Sequence, residues 1–240
     1  MEERLLRLER RPAGGAATVA AQPRAAAIPD YFAFESRMRA PTAETREKQR
    51  PYVELFADAA PVLDVGCGRG EFLTLLRDAG IEATGVDADG DMVAFARGED
   101  LDVTQADALD HLEVLDQGSL GGLFAAQLVE HLPPASLVRL LELAHAALRE
   151  GGVLVLETIN PLSPLALRNF FADLTHAQPL VPETLQLLAS SAGFRESSLR
   201  FANPPAERLT EPGDPVLAAN VRRLNELLFA PLDYALVARR

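Results

Sequence analysis

A glycine-rich turn between a short apolar run and an amphipathic run constrains the fold of this chain more than any other feature. The segment Val62–Val65 is typical of a buried strand, and it leads directly into Gly-Cys-Gly-Arg-Gly over 66–70. A helix follows over 71–79 and is closed by Gly80. Glycines at a strand-to-helix turn let the backbone approach a ligand and expose amide groups at the helix N-terminus. The turn therefore predicts a parallel α/β sheet whose first strand ends at a ligand site.

Strand and helix patterns alternate along the rest of the chain. Further strands are predicted at 83–87, 103–105, 120–126, 153–158, 195–201 and 232–238. Helices are predicted at 89–97, 136–148, 182–192 and 216–229. Alternation at this spacing indicates βαβ units. The prediction is a Rossmann-like α/β fold with a seven-stranded, mostly parallel sheet and helices on both faces.

The N-terminal part of the chain precedes this alternating pattern. Residues 1–29 are predicted to form a short charged helix followed by a flexible linker rich in Ala, Pro and Gly; the alternative is that the first thirty residues form a disordered tail. The domain is predicted to span residues 30–240. Its first part, residues 30–57, has a helical pattern that Pro41 divides, and this helical segment is a candidate lid over the ligand site.

The composition excludes several classes of protein. A formal net charge of −12 argues against a nucleic-acid partner, since such proteins carry a basic face. No apolar run reaches 18 residues, so no membrane span is predicted. The N-terminus lacks the apolar core of a signal peptide, and a cytoplasmic protein is expected. Cys67 is the single cysteine, which excludes an intrachain disulfide and a cysteine-based metal site.

Carboxylates at the ends of the first two strands indicate which ligand the glycine turn binds. Asp87 follows Gly66 by 21 residues and is placed to bind ribose hydroxyls, which a dinucleotide or S-adenosylmethionine would provide. The turn has the spacing G-x-G-x-G rather than the dinucleotide spacing G-x-G-x-x-G, and Asp64 stands just ahead of it. A carboxylate there would repel a pyrophosphate but accept a hydrogen bond from the ammonium group of a methionine moiety. The pattern favours S-adenosylmethionine over NAD.

Asp64-Val-Gly-Cys-Gly-Arg-Gly resembles the first motif of class I methyltransferases, and Gly85-Val-Asp87 resembles their second. The segment from Gln105 to Ala108 resembles the one that holds adenine, and the resemblance covers residues 55 to 240. It implies that Asp107 lies near the exocyclic amine and that Met92 packs on the adenine ring. The full set of expected cofactor-binding residues is Asp64, Gly66, Gly68, Asp87, Ala88, Met92, Asp107, Ala108 and Gln127.

The residues after the fourth strand suggest catalytic chemistry. Gln127, Glu130 and His131 stand at i, i+3 and i+4, which predicts one face of a helical turn beside the cofactor. The segment is similar to metal-dependent O-methyltransferases of small RNAs and of ubiquinone biosynthesis, which carry E-x-x-E-H here and a distal ligand after the fifth strand. The resemblance implies that Glu130 and His131 are catalytic and bind Mg²⁺ or Mn²⁺ together with His176, while Gln127 replaces the first Glu.

Two other roles for the Glu130–His131 pair stay open at this point. The pair often only closes the cofactor pocket in methyltransferases. Alternatively, His131 acts as a general base without a metal ion, because neutral imidazole is available near pH 7.

The end of the fifth strand suggests the acceptor. Glu157 and Asn160 leave an apolar strand at the rim of the site and are expected to bind substrate hydroxyls, unless they simply terminate the strand. The run 157–176, with 31–37 upstream, resembles bacterial methyltransferases of O-antigen and other polysaccharide pathways. This implies O-methylation of a saccharide hydroxyl.

Two alternative functions remain beside saccharide methylation. The first is methylation of a small phenol or quinone precursor. The second is a cofactor-binding scaffold without turnover, in which the charged N-terminus docks a partner such as a glycosyltransferase.

Overall fold

The computed structural model describes residues 41–240, which form one seven-stranded sheet flanked by helices. The strands are β1 (Val62–Val65), β2 (Ala83–Asp87), β3 (Val103–Gln105), β4 (Leu120–Ala126), β5 (Leu148–Ile159), β6 (Glu196–Ala202) and β7 (Asp233–Arg239). The α-helices are α1 (Thr42–Gln49), α2 (Glu71–Asp78), α3 (Gly90–Gly98), α4 (Ala108–Glu113), α5 (Pro134–Ala147), α6 (Pro164–Ala172), α7 (Pro182–Ala192) and α8 (Pro215–Leu228). Two 3₁₀ helices cover Arg50–Phe56 and Val129–His131.

The strand order across the sheet is β3-β2-β1-β4-β5-β7-β6. Strands β1 to β5 pair in parallel, whereas β7 pairs antiparallel with both β5 and β6. The order reverses between β1 and β4, and ligands of such sheets bind at that reversal, outside the carboxyl ends of the strands. The predicted Rossmann-like fold is confirmed.

The sheet buries a separate apolar core on each face. One core, here called the α5 face, packs α5 and α7 against β5 side chains such as Leu154 and Leu156. The other, the α2 face, contains Phe72 of α2, stacked on Phe124 of β4 with ring centroids 3.8 Å apart. Successive side chains of a strand point to opposite faces. The end of β5 therefore sends Glu157 to the α2 face and Thr158 to the α5 face.

The segment before β1 is part of the domain core. Helix α1 begins directly after Pro41, as expected for a residue that disfavours helix interiors. The 3₁₀ helix that follows buries Tyr52 and Phe56 on the α2 face, where only 3% and 0% of their surfaces are exposed. The described part of the predicted lid thus packs against the sheet. The short helix, the linker and the beginning of the lid, residues 1–40, lie outside the described residues.

Three elements differ from the sequence predictions. Helices α4 and α6 were not expected; α4 has six residues, and both begin behind capping side chains, Asp107 and Ser163. Strand β5 begins at Leu148, five residues earlier than predicted, because the Gly151–Gly152 pair lies inside an irregular part of the strand rather than in a loop. No helix within residues 41–240 is long and apolar enough to cross a membrane.

Candidate active site

The glycine turn after β1 adopts a conformation that suits glycine and few other residues. Gly66, Gly68 and Gly70 have φ values of 70°, 54° and 79°, in the left-handed region. A Cβ atom on Gly70 would overlap the side chain of Leu101. The amide of Gly66 donates to the carbonyl of Val86 in β2 at 2.8 Å, which anchors the turn to the sheet. The glycine φ values and the hydrogen bond to β2 therefore fix the conformation of the turn, at the point where the strand order reverses.

Asp87 joins this turn to the end of β2. One of its carboxylate oxygens accepts from the amide of Gly68 and the other from the amide of Asp89, both at 2.8 Å. Each carboxylate oxygen can accept a second hydrogen bond, so Asp87 can still accept hydrogen bonds from ribose hydroxyls as predicted. Asp64 is buried at the end of β1, with 3% of its surface exposed. The structure thus brings the carboxylates and glycines of the predicted cofactor site to one place.

The remaining predicted adenosine-binding residues follow β2 and β3. Ala88 is exposed between β2 and α3, and Met92 is buried in the first turn of α3. Asp107 caps α4, since its Oδ1 accepts from the amides of Leu109 at 2.8 Å and Asp110 at 3.3 Å. Ala108 is the first residue of that helix. Their contacts with adenine stay predictions.

On the α5 face, the three predicted metal ligands converge. One ligand atom from each of Glu130, His131 and His176 lies within 4.8 Å of the others. The two imidazole rings have centroids 4.5 Å apart. The first two residues come from the 3₁₀ helix after β4, and His176 comes from the loop after α6. The fold therefore joins residues that are 45 positions apart in the sequence.

The hydrogen bonds of the two histidines indicate where each ring carries its proton. His131 Nδ1 lies 2.9 Å from the hydroxyl of Thr175, which itself donates to Asp173 at 2.6 Å. His176 Nδ1 lies 2.7 Å from the carbonyl oxygen of Phe170, which can only accept. Both arrangements place the proton on Nδ1 and leave a lone pair on Nε2. Metal-binding histidines are commonly oriented in this way by a partner on the other ring nitrogen.

Glu130 completes the group as a fully buried carboxyl. Its Oε2 accepts from the hydroxyl of Thr158 at 2.9 Å, and its Oε1 has no hydrogen-bond partner among the described residues. Burial raises the pKa of Glu130 to about 8. Burial, together with the nearby His176, lowers the pKa of His131 to about 4.

This donor set fits a divalent cation. A cation would stabilise the ionised form of Glu130 and would accept the lone pairs of two neutral imidazoles. A carboxylate oxygen with two imidazole nitrogens suits Mn²⁺ and is compatible with Mg²⁺.

Gln127 does not share a helical face with Glu130 and His131, so that part of the sequence prediction is wrong. Its φ is 54°, and the helical turn begins only at Val129. The left-handed backbone directs the side chain towards Asp233, to whose Oδ1 the amide donates at 3.3 Å. Gln127 therefore belongs to a second polar group, on the α2 face. Its predicted contact with the cofactor stays a prediction.

This second group, the Glu157–Asp233 cluster, consists of Tyr52, Gln127, Glu157 and Asp233. Burial, with Asp233 nearby, raises the pKa of Glu157 to about 7, and burial also raises the pKa of Asp233. Asn203 donates to Asp233 Oδ2 at 2.7 Å. The buried Tyr52 hydroxyl faces Glu157, and burial followed by this carboxyl raises the pKa of the phenol. The cluster places two carboxyl groups and a phenol beside the end of β5 and the start of β7.

Asn160, the other predicted substrate residue, is used within the fold. It is 1% exposed; its amide nitrogen donates to the carbonyl of Pro231 at 2.8 Å, and its oxygen accepts from Leu162 at 3.1 Å. Both ends of the amide are engaged, which favours strand termination over substrate binding for this residue.

Several residues of the two groups were not identified from the sequence. Thr158 sits beside Glu157 but faces the opposite side of the sheet, and Asp173 and Thr175 precede His176 in the same loop. Strand alternation and the D-x-T-H spacing were the available signals for these three. Tyr52 and Asp233 carry no local signal, because only the tertiary fold brings them to Glu157.

Comparison with known proteins agrees with this architecture. Residues 31–198 match a family described as "Methyltransferase domain". A SAM dependent methyltransferase from Archaeoglobus fulgidus, known from a crystal structure, is 36% identical in sequence to this chain. The two structures have a TM-score of 0.84, and the match covers 88% of this chain and 100% of the other. An S-adenosylmethionine dependent methyltransferase from Mesorhizobium loti is 21% identical, with a TM-score of 0.57 over 80% of this chain and 98% of that one, and supports the fold.

A ubiquinone biosynthesis O-methyltransferase from Xanthomonas campestris is 29% identical over 107 residues. The match covers 42% of this chain and 44% of that protein, so the chain matches less than half the length of this relative. The glycine turn, the strand order and the family match lead to one conclusion. The chain belongs to the class I S-adenosylmethionine-dependent methyltransferase family.

Proposed function

We propose that the protein transfers the methyl group of S-adenosylmethionine to a saccharide hydroxyl, assisted by Mg²⁺ or Mn²⁺ bound to Glu130, His131 and His176. The observation that carries the proposal is the convergence of these three side chains within 4.8 Å. Two of them present Nε2 lone pairs, and the third has a buried oxygen without a partner. Such a group is stabilised by a cation and is destabilised without one.

The chemistry of the acceptor explains why such a site is useful. A sugar hydroxyl is a poor nucleophile at pH 7, and a divalent ion held by Glu130, His131 and His176 would lower the pKa of that hydroxyl. The acceptor oxygen then attacks the methyl carbon; the new C–O bond forms as the C–S bond breaks, the hydroxyl proton passes to solvent, and S-adenosylhomocysteine leaves. Thr175 and Asp173 hold His131 in the tautomer that leaves Nε2 free, and Thr158 orients the Glu130 carboxyl.

The saccharide acceptor is supported by the resemblance of the run 157–176 to polysaccharide-pathway methyltransferases and by the polar end of β5, where Glu157 is proposed to contact the acceptor. A second candidate is a small phenol or quinone precursor, which the similarity to a ubiquinone biosynthesis O-methyltransferase favours. The docking of a glycosyltransferase through residues 1–29 stays a prediction outside the described residues.

Methyl transfer from labelled S-adenosylmethionine tests both the acceptor and the metal ion. The full chain is incubated with a bacterial surface-polysaccharide fraction or with catechol, in EDTA and after replacement of Mn²⁺ or Mg²⁺. We expect label in the polysaccharide, loss of transfer in EDTA and recovery with either ion. Full activity in EDTA would contradict the metal site and leave His131 as a general base.

The acceptor result separates the remaining alternatives. Transfer to catechol alone would favour the phenol class. Calorimetric binding of S-adenosylhomocysteine without transfer to either acceptor would favour a scaffold.

A further inference from the structure

The Glu157–Asp233 cluster lies on the opposite side of β4 from the glycine turn. In the sheet, β4 separates β1, which carries the turn, from β5 and β7, which carry the two carboxyl groups. Tyr52 bridges this position, since its ring packs against Phe124 of β4 with centroids 5.8 Å apart. The cluster therefore lies on the β5 and β7 side of the sheet, away from the predicted cofactor-binding residues at the ends of β1 and β2.

Two buried oxygens of the cluster have unused hydrogen-bonding capacity. Tyr52 is 3% exposed and Glu157 is 4% exposed, and their hydroxyl and carboxyl groups face each other, yet neither Tyr52 Oη nor Glu157 Oε2 completes a hydrogen bond of good geometry within the described residues. Buried polar atoms are nearly always paired, so such atoms call for a partner. Asp233 and Gln127, by contrast, are partly open to solvent. The cluster thus has two buried polar residues, Tyr52 and Glu157, and two residues that solvent can reach.

The mixture of donors and acceptors indicates the kind of group that would bind. Tyr52 and the Gln127 amide donate, whereas the carboxyl groups of Glu157 and Asp233 accept. A hydroxyl group both donates and accepts, so it satisfies both sets at once. An ammonium group only donates, so it could not accept a hydrogen bond from the Tyr52 hydroxyl. The pattern favours a ligand with several hydroxyl groups.

We propose that Tyr52, Gln127, Glu157 and Asp233 form a subsite that binds hydroxyl groups of a polyhydroxylated acceptor, with Tyr52 and Asp233 as specificity determinants. The subsite differs from the Glu130, His131 and His176 group, because Glu157 belongs to the cluster whereas its strand neighbour Thr158, which points to the other face, contacts Glu130. The two groups are still close enough for the charges of Glu157 and Asp233 to act on Glu130. This inference rests on the proposed saccharide methylation and names the residues that select the acceptor.

Binding of small sugars to the protein saturated with S-adenosylhomocysteine and Mg²⁺ tests the subsite. The probes are methyl glycosides of glucose, mannose, galactose and rhamnose, observed by saturation-transfer NMR and titration, with catechol as a comparison. The variants are Tyr52→Phe, Asp233→Asn and Glu157→Gln, each close in shape to the native residue. Matched controls are Tyr234→Phe, which removes a buried hydroxyl from the α5 face, and the exposed Asp116→Asn.

We expect at least one glycoside to bind the native protein and each cluster variant to weaken it about fivefold or more, the effect of losing one or two hydrogen bonds. The controls and the affinity for S-adenosylhomocysteine should change less than about twofold. Unchanged glycoside binding in the folded variants, or no glycoside binding to the native protein, would overturn the subsite. Weakened S-adenosylhomocysteine binding would instead assign the cluster to the cofactor. Neither result decides the proposed function, because methyl transfer to the polysaccharide fraction is measured separately.

Discussion

The two halves of the candidate site are built in different ways. At the ends of β1 and β2, the cofactor half consists mainly of backbone groups from one continuous turn, tied down by Asp87. At the ends of β4 and β5 and the start of β7, the proposed acceptor half consists of side chains from separate segments, including His176 from the loop after α6. A site of backbone amides depends on local glycine conformation, whereas a site of side chains depends on sheet order. Substitutions should therefore affect one half without the other.

The largest effect is expected for His176→Ala, which removes one of three proposed metal ligands. Methyl transfer should fall about 100-fold or more, and Mn²⁺ affinity should fall by a similar factor, because partners of such ligands alone account for 10- to 100-fold effects. Calorimetry with Mn²⁺ and a methyl-transfer assay measure the two quantities.

The matched control is His111→Ala, on α4 and outside both polar groups. The affinity for S-adenosylhomocysteine should be unchanged in both variants. A loss of cofactor affinity in His176→Ala would show that the two halves are not independent.

A smaller effect, on cofactor binding rather than on the metal ion, is expected for Asp87→Ala. The change removes the acceptor of the Gly68 amide and the proposed partner of the ribose, so the affinity for S-adenosylhomocysteine should fall about tenfold to 100-fold, in line with hydrogen bonds to a charged group. Mn²⁺ affinity should stay within twofold of the native value. Asp91→Ala, an exposed carboxylate in the first turn of α3, is the control. Equal losses of S-adenosylhomocysteine affinity in the two variants would contradict a specific role of Asp87 in cofactor binding.

The smallest effect is expected for Thr175→Val, which keeps the shape of the side chain but removes the hydroxyl between His131 and Asp173. Mn²⁺ affinity should fall about tenfold, and transfer at saturating Mn²⁺ should return close to the native rate, because the ligands themselves are retained. Thr175→Ser should restore the affinity, and the exposed Thr184→Val should behave like the native protein. A rate that stays low at saturating Mn²⁺ would mean that Thr175 does more than orient the ring.

Local sequence patterns were sufficient for the cofactor half. Strands β1, β3 and β4 have the predicted bounds, because each is a short run bordered by turn residues. The glycine turn lies where it was expected for the same reason. The expectation that His131 and His176 lie together came from the resemblance to metal-dependent O-methyltransferases, and the structure does bring them together beside Glu130, although their metal binding stays a prediction.

The acceptor half contains features that no local pattern carries. The position of Asp233 beside Glu157 depends on the antiparallel register in which Ile159 pairs with Asp233. The sequence spacing of Gln127 suggested a helical face, but its left-handed backbone overrides that spacing. Tyr52 reaches the cluster only because the 3₁₀ helix before β1 packs under the sheet. Each of these depends on contacts between distant segments.

The left-handed backbone at Gln127 has a consequence for how such an enzyme can be altered. The Gln127 side chain contacts Asp233, whereas Glu130 and His131 follow the bend, so this bend lies between the proposed acceptor subsite and the proposed metal ligands. A non-glycine residue in this conformation costs about 1 kcal/mol, a modest expense for keeping the two tasks apart. Because the charges of Glu157 and Asp233 also raise the pKa of Glu130, we expect substitutions of Tyr52 to change acceptor choice with the least effect on the proposed metal site.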